Sequence, residues 1–412
     1  MKKVKSVIKF LFVVAIVAGL CVPAFAFQAP KAIPGQFIVI FKEANIPPVA
    51  KLKLTAANRE AKISLALTKR TDVLNKINSF NAKNQIKDTA VLHKFSDALS
   101  GFSAKLSQAE VIKLKGQADV AGVYQDFEIN LGPIPVSTTA PADFNAAGQT
   151  LTCAIMKAGG PVDGSTKSTW IWILDTGINQ THPDLNVQTN PTFAKSFVPG
   201  QVVEDGHGHG THCAGIAAAK NNGIGVVGVS AGAKVVPVKV LSNAGSGSFS
   251  WLIAALNHVA ANDVPGDVVS MSLGAYPVSS CASAMPPLNA AIANLTAAGT
   301  HVVIAAGNNG SCTGAASCLP GCINQTRLYT VGALNCDLTR ASYSNFGQGT
   351  VDWVAVGSNV YSTYKNGGYA TMSGTSMATP VVAGVIHARG GAPIGGQVNV
   401  AGCGLYGIAQ RQ

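Results

Sequence analysis

The sequence predicts an α/β protein in which a parallel sheet carries helices on both faces, preceded by a small α+β unit. Three observations lead there. Beyond about residue 146, short apolar runs alternate with Ala-rich stretches at helical spacing, and strands that alternate with helices form parallel sheets buried on both sides. Residues 1–132 carry 19 Lys plus Arg against 9 Asp plus Glu, whereas 133–412 carry 11 against 10, so the formal charge of +11 divides into +10 and +1. Between the two compositions lies a polar stretch with Pro133, Pro135 and Pro141, of the kind that separates domains.

Lys2, Lys3, Lys5 and Lys9 precede an apolar run over residues 10–22, and Ala24-Phe25-Ala26 has the small-x-small pattern of a leader cleavage site. Residues 1–26 are therefore expected to be a signal peptide and the protein to be secreted. Cys21 leaves a lipoprotein leader as the alternative, although Leu20 is bulky where that processing needs a small residue. The run is short for a membrane span and no second one follows, so no membrane partner is expected. In the unit at 27–131, residues 37–41 read as a strand, and Ile63, Leu67, Val73, Leu74 and Ile77 recur at helical spacing. Ser107 and Glu110 frame a capping box that opens a second helix. Residues 132–145 form the linker and processing region, and 146–412 the main domain. Within it, 170–174, 234–241, 268–271, 301–305 and 351–356 read as buried strands, and 211–220, 251–261 and 288–298 as helices. This domain is nearly neutral and has no basic stripe, which argues against a nucleic-acid partner. A monomer is expected.

Gly374-Thr375-Ser376-Met377-Ala378-Thr379-Pro380 places a serine on a Gly-bounded turn that opens a helix, where its hydroxyl is exposed and negative charge is favoured. A serine is a poor nucleophile until a base takes its proton, so a histidine and an orienting carboxylate are required. Asp175 ends the apolar run at 170–174, and Asp205-Gly206-His207-Gly208-His209-Gly210-Thr211-His212-Cys213-Ala214-Gly215 starts a small-residue helix. Its three histidines compete for the role of base, and His-x-His-x-x-His is also a zinc-ligand pattern.

The order Asp, His, Ser, set in Asp-Thr-Gly, His-Gly-Thr-His and Gly-Thr-Ser-Met-Ala-Thr-Pro, resembles the subtilisin-like serine proteases over roughly residues 165–390. Cys213 after the histidine motif resembles the proteinase K branch. The resemblance implies a parallel sheet of the seven-stranded subtilisin type and an endopeptidase that needs no cofactor for its chemistry. In it Ser376 is the nucleophile, His209 the general base and Asp175 its orienting carboxylate. Activity is then expected to rise between roughly pH 6 and 8, around an ordinary imidazole pKa of ~6.5.

By the same resemblance Asn308, in Ala305-Ala306-Gly307-Asn308-Asn309-Gly310, joins the Ser376 amide as oxyanion donor, with Asn309 as its competitor. Gly245-Ser246-Gly247 and Ser272-Leu273-Gly274 are implied to be backbone edges that pair an extended peptide substrate. Ala305, Ala306 and Gly307 would line an uncharged first pocket that favours apolar or aromatic residues. Thr326, Leu328 and Asp352 align with a structural calcium site of two carbonyls and one carboxylate, a strand-edge role being the alternative for Asp352.

Gly101-Phe102-Ser103-Ala104-Lys105-Leu106 and residues 120–126 resemble the inhibitory propeptide of subtilases. Residues 27–131 are then a folding chaperone and intramolecular inhibitor whose tail near 127–131 blocks the cleft until self-cleavage; an ordinary accessory domain is the alternative. Of nine cysteines, eight follow the leader, which suits an oxidising compartment. Cys213 is implied to be a free thiol, which leaves at least one more unpaired. Pairing among Cys281, Cys312, Cys318, Cys322 and Cys336 is expected without assignment, a zinc knuckle being the alternative. Val381 departs from the histidine that commonly follows this proline in the family. Two rival functions stay open, a catalytically silent protease-like binding protein and a His-rich metal-binding exported protein.

Overall fold

In the computed structural model, strand β1 (Ala32–Phe41) sends alternate side chains to two different partners. Residues 31–45, 48, 59–131, 135–138, 148–274, 276–278, 280–311, 314 and 318–412 are described, and the expected leader and most of the linker lie outside them. Phe37, Val39 and Phe41 pack with Val73, Ile77 and Phe80 of α1 (Arg59–Asn84) and Val111 and Leu114 of α2 (Gln108–Lys115). Ile38 faces the other way, into a cluster with Phe249, Leu252 and Ile253 of the second unit. β1 runs antiparallel to β3 (Gly101–Lys105) and β4 (Val120–Asn130), with β2 (Val91–Phe95) beyond β3. α2 opens with the expected capping box, in which Glu110 N donates to Ser107 Oγ and Ser107 N to the Glu110 carboxylate.

The buried stripe of α1 differs from the expected one. Leu67 is 57% exposed, while Val73 and Ile77 are buried as expected and Ala66 and Phe80 join them. The cause lies outside the helix: its first turns rest on the second unit, so Arg59 and Lys62 take interior positions against carboxylates there.

The second unit is built on β5 (Ile171–Asp175), β6 (Lys234–Lys239), β7 (Ser246–Ser248), β8 (Val268–Met271), β9 (His301–Ala305), β10 (Leu328–Leu334) and β11 (Trp353–Val356). A C-terminal hairpin of β12 (Gln397–Val400) and β13 (Gly404–Ile408) follows. The main sheet has ten strands in the order Lys195–Ser196, β6, β5, β8, β9, β10, β11, β13, β12, with Asn186–Val187 beside β6. Along that order every pair is parallel except the final hairpin. Ile171, Ile173, Val268, Val303 and Val331 face α3 (His209–Ala218) and α6 (Thr375–Arg389). Trp172, Leu174, Val269, Met271, Val302 and Ile304 face α4 (Phe249–Asn262) and α5 (Pro286–Ala297). Burial on both faces is why these strands read as unbroken apolar runs. β10 escapes that reading because Gly332 interrupts it. A Cβ there would come within 3.2 Å of the Phe346 ring and 3.3 Å of Val354, so close packing requires the glycine.

The two units share a sheet edge. β4 pairs antiparallel with β7, Ile129 opposite Gly247 and Asn130 opposite Ser246, and Leu131 N donates to Gly245 O at 3.0 Å. Asn257 Oδ1 on α4 accepts from the amides of Ser96, Asp97 and Ala98 at 2.9, 2.7 and 3.1 Å, tying down the β2–β3 loop.

The disulfides correct the expected cysteine cluster. Cys281 pairs with Cys322, which removes the zinc-knuckle alternative for Cys322, but Cys336 pairs with Cys153 outside the cluster. β10 carries Cys336 to the sheet end beside the short helix Cys153–Lys157. Cys213 and Cys318 are free. Among the described residues no helix is long and apolar enough to cross a membrane.

Phe102 is fully buried between the helices and sheet of the first unit, so Phe102→Ala should destabilise the intact chain by about 3–5 kcal/mol. Leu67→Ala should change it by less than about 0.5 kcal/mol. Urea unfolding of the two variants checks the corrected stripe; equal losses would contradict it.

Candidate active site

Asp175 is the last residue of β5, at the C-terminal edge where ligand sites of parallel sheets form. Its carboxylate accepts from Thr176 N at 2.7 Å, and its carbonyl from the amides of Val240 and Leu241. His209 is the first residue of α3, with Nδ1 2.7 Å from Asp175 Oδ1. Asp205 shapes the loop that delivers it. One Asp205 oxygen accepts from the amides of His207 and Gly208 and from Thr176 Oγ1, the other from Thr211 N and Oγ1. Gly208 has φ +109°, and a Cβ there would overlap the Tyr364 ring; a Cβ at Gly210 would overlap the Gly177 carbonyl. The motif's glycines thus let two loops close on each other.

Burial is the largest influence and works against a charged His209, but the Asp175 carboxylate and the neighbouring Cys213 together hold the imidazole well above its ordinary pKa. The site thus shifts the base upward from the ordinary value around which its titration was expected. Burial also pushes the Cys213 thiol up, so this sulfur, 4.0 Å from His209 Nδ1, stays protonated. The three histidines do not converge on one point. His212 Nε2 bonds the carbonyls of Val360 and Ala370, and burial lowers its pKa to about 3, leaving a neutral structural donor. His207 is half-buried, its ring 6.3 Å from that of His209. Among the described residues, Asp175, His209 and Cys213 form the one compact group of metal-ligating types, and His209 Nδ1 there is already taken by Asp175.

Ser376 is the second residue of α6, so its amide is a first-turn N–H with no acceptor inside the helix. Its hydroxyl donates to Ser272 O at 3.3 Å, while His209 Nε2 is buried without a hydrogen bond. Asn308 Oδ1 accepts from Thr375 N at 2.8 Å and Thr375 Oγ1 at 2.9 Å, which commits the oxygen and leaves Nδ2 as a donor beside Gly374. Asn309 does something else: it exchanges hydrogen bonds with the Asn345 carboxamide and fixes the loop. Ala305 and Ala306 are buried at the end of β9, and Gly307 N donates to Thr375 Oγ1. Ser272 also bonds the Ser376 carbonyl, Leu273 is buried, and Gly274 has φ +110° against Pro320. Gly245, Ser246 and Gly247 lie on the edge occupied by β4, and a Cβ at Gly245 would sit 3.4 Å from His207 and 3.5 Å from Leu131.

Two places gather oxygens. Asp352 Oδ2 accepts from Thr330 N at 2.8 Å, and Asp352 N donates to Thr330 O. The Arg327 carbonyl bonds Val302 on β9, so by strand alternation the Leu328 carbonyl turns toward the Asp352 side. Thr326 lies in the exposed turn before β10. The second place was not foreseen. Gln149 Nε2 faces Lys220 O, Ile224 O, Val226 O and Asn222 Oδ1 at 2.8, 3.2, 3.1 and 3.4 Å, more acceptors than its two hydrogens can serve. Beside it, Asp184 accepts from Val226 N, keeps Oδ1 buried without a partner, and is raised to about 6 by burial. Three of these oxygens are backbone carbonyls, which carry no residue signature; the turn at Asn221-Asn222-Gly223 was the one visible signal.

Residues 36–131 match the family model described as peptidase inhibitor I9, and residues 166–388 the one described as the subtilase family. M-protease of Shouchella clausii (strain KSM-K16) is 44% identical over 218 residues, 52% of this chain and 51% of that protein. Subtilisin Savinase of Lederbergia lenta is 43% identical over 217 residues, 52% of this chain and 72% of that protein. The match thus spans about half the length of the first of these relatives. Alkaline serine protease ver112 of Corniculantispora psalliotae is 31% identical over 370 residues, 87% of this chain and 85% of that protein. Because the subtilase model covers more than half of the chain and the ver112 match runs through both units, this chain belongs to the subtilase family.

Proposed function

We propose that this chain is the precursor of a secreted serine endopeptidase that cuts itself free of its own inhibitory unit. The observation that carries the reading is the end of β4, paired like a substrate strand on the β7 edge and reaching Gly245 beside the histidine loop. Such pairing is made by backbone, so it reads little sequence and suits a broad substrate range. Specificity then falls to the pocket bounded by Ala305, Ala306 and Gly307, which has no charge and favours apolar or aromatic residues before the scissile bond.

In the reaction the Ser376 hydroxyl turns to His209 Nε2, loses its proton to it and attacks the peptide carbonyl. Asp175 holds the ring through Nδ1 and stabilises the imidazolium. The Ser376 amide and Asn308 Nδ2 donate to the oxyanion. His209 returns its proton to the leaving amine, an acyl ester remains on Ser376, and water activated by His209 hydrolyses it. The assembled acid–base pair favours this over a catalytically silent binding protein.

The precursor divides into a signal peptide at 1–26, the inhibitory unit at 27–131, a linker at 132–145 that is cut, and the catalytic domain at 146–412. The Cys153–Cys336 and Cys281–Cys322 disulfides suit the oxidising compartment that secretion implies. Structural calcium fits both oxygen clusters: Gln149, Asp184 and Asn222 with the carbonyls of Lys220, Ile224 and Val226, and Asp352 with those of Thr326 and Leu328. Calcium there neutralises carboxylates and ties loops together; the chemistry does not use it.

Processing tests the central reading. The secreted wild type should lose the segment from Phe27 to a point between Leu131 and Ala140, whereas Ser376→Ala should accumulate uncut, as N-terminal sequencing would read. Purified Ser376→Ala processed as fast as wild type would overturn it.

Calcium at a hundredfold excess over its dissociation constant should add about 3 kcal/mol to native stability. Chelation should therefore speed thermal inactivation. Asp184→Asn and Asp352→Asn should each remove part of the calcium effect; no chelator effect on the wild type would eliminate both sites.

A further inference from the structure

The first helix of the inhibitory unit begins with a cation that serves neither the cleft nor that unit's own core. Arg59 is 5% exposed and reaches across to the catalytic domain, where its guanidinium bonds both oxygens of Asp267, at 2.7 and 3.0 Å, and the Asn262 carbonyl at 2.6 Å. It lies 3.6 Å from the centre of the Trp170 ring. One turn on, Lys62 pairs with Asp263, whose other oxygen accepts from Thr300 Oγ1.

The receiving side is built without Arg59. Asp267 is fully buried and also accepts from Trp170 N at 2.8 Å, Trp172 Nε1 at 2.8 Å and Val264 N at 3.2 Å, all from the catalytic domain. Those donors fix the carboxylate plane, Asn262 O closes one side, and the indole offers its face. A planar fork with delocalised charge fits such a site, and a compact ammonium does not. Position separates it from the catalytic group. Asp267 and Trp170 directly precede β8 and β5, which are paired in parallel, so they lie at the end of the sheet opposite Asp175.

We propose that Asp267, the Asn262 carbonyl and the Trp170 ring form a guanidinium-binding site on the catalytic domain, remote from the cleft, whose occupant is Arg59 of the inhibitory unit. Resting on the proposed self-processing, the site has a regulatory consequence. Cutting the linker removes the covalent tie, but the unit stays gripped at both ends of the sheet, by β4 on β7 and by Arg59 in its socket. Release then requires the arginine to leave a buried carboxylate.

Chemical rescue tests the site without catalysis. In the intact chain carrying Ser376→Ala, Arg59→Ala empties the socket. Millimolar ethylguanidinium should then raise the thermal midpoint of this variant and not that of the chain retaining Arg59; ethylammonium should do so far less, and Asp267→Asn should abolish the difference. Equal effects of the two cations, or rescue that survives Asp267→Asn, would overturn the proposal. Should Arg59→Ala fail to fold, Arg59→Lys, made in the chain that retains Ser376, keeps the charge and loses the fork. Its processed form should then shed the cut unit about tenfold faster on gel filtration than the Arg59 protein, and equal retention would overturn the site. Absence of cutting in the wild type would instead count against the proposed function.

Discussion

The rest of the molecule is arranged around one buried bond, that between Asp175 and His209. Taking a carboxylate and an imidazole out of water is costly unless they meet each other and other donors. Thr176 N supplies a further donor to the carboxylate, and the strand end supplies the direction. Everything nearby serves the approach of α3 to β5: Asp205 gathers four donors of the histidine loop and Thr176 Oγ1 beside Asp175, and glycines stand where Tyr364 and the Gly177 carbonyl leave no room for a Cβ. Ser376 arrives on a separate helix and bonds Ser272, so in the proposed mechanism nucleophile and base are held by different elements.

The inhibitory unit exploits a property of the same architecture. A parallel sheet is assembled from non-local contacts, and these form late because long loops must close first. The unit offers a preformed antiparallel edge to β7 and an apolar face, with Ile38, Phe95 and Leu99, to α4 and α5. It therefore stabilises the half of the domain that carries the substrate edge. In the proposed reading the pairing that aids folding is also the pairing that fills the cleft edge, so chaperoning and inhibition share one surface.

Much of this was legible in the residues because it rests on local chemistry. Strands buried on both faces read as apolar runs, Ser107 and Glu110 announced their helix, and two of the motifs supplied the Asp175–His209 pair that the structure brings together. The missing parts depend on partners distant in sequence. Arg59 and Lys62 turn α1 because acids of another unit wait for them; Gly332 hides β10 because Phe346 and Val354 crowd it; Cys336 meets Cys153 across 183 residues. The cluster around Gln149 is largely backbone oxygen, which no residue type marks. The direction in which the site shifts His209 was not legible for the same reason, since an isolated histidine motif does not show how closely a carboxylate will be buried against it.

The central claim is that the Asp175 carboxylate acts against burial to hold His209 in its charged form. A base whose pKa is raised stays protonated to higher pH, so the neutral form able to take the serine proton arrives later on the pH scale. The most direct measurement follows the His209 ring nitrogens by NMR against pH in the intact Ser376→Ala chain, with and without Asp175→Asn. The account predicts titration well above the ordinary value of ~6.5 with Asp175 and a fall below it once the carboxylate is replaced and burial acts alone. Titration at or below the ordinary value in the presence of Asp175, unchanged by Asp175→Asn, would contradict it.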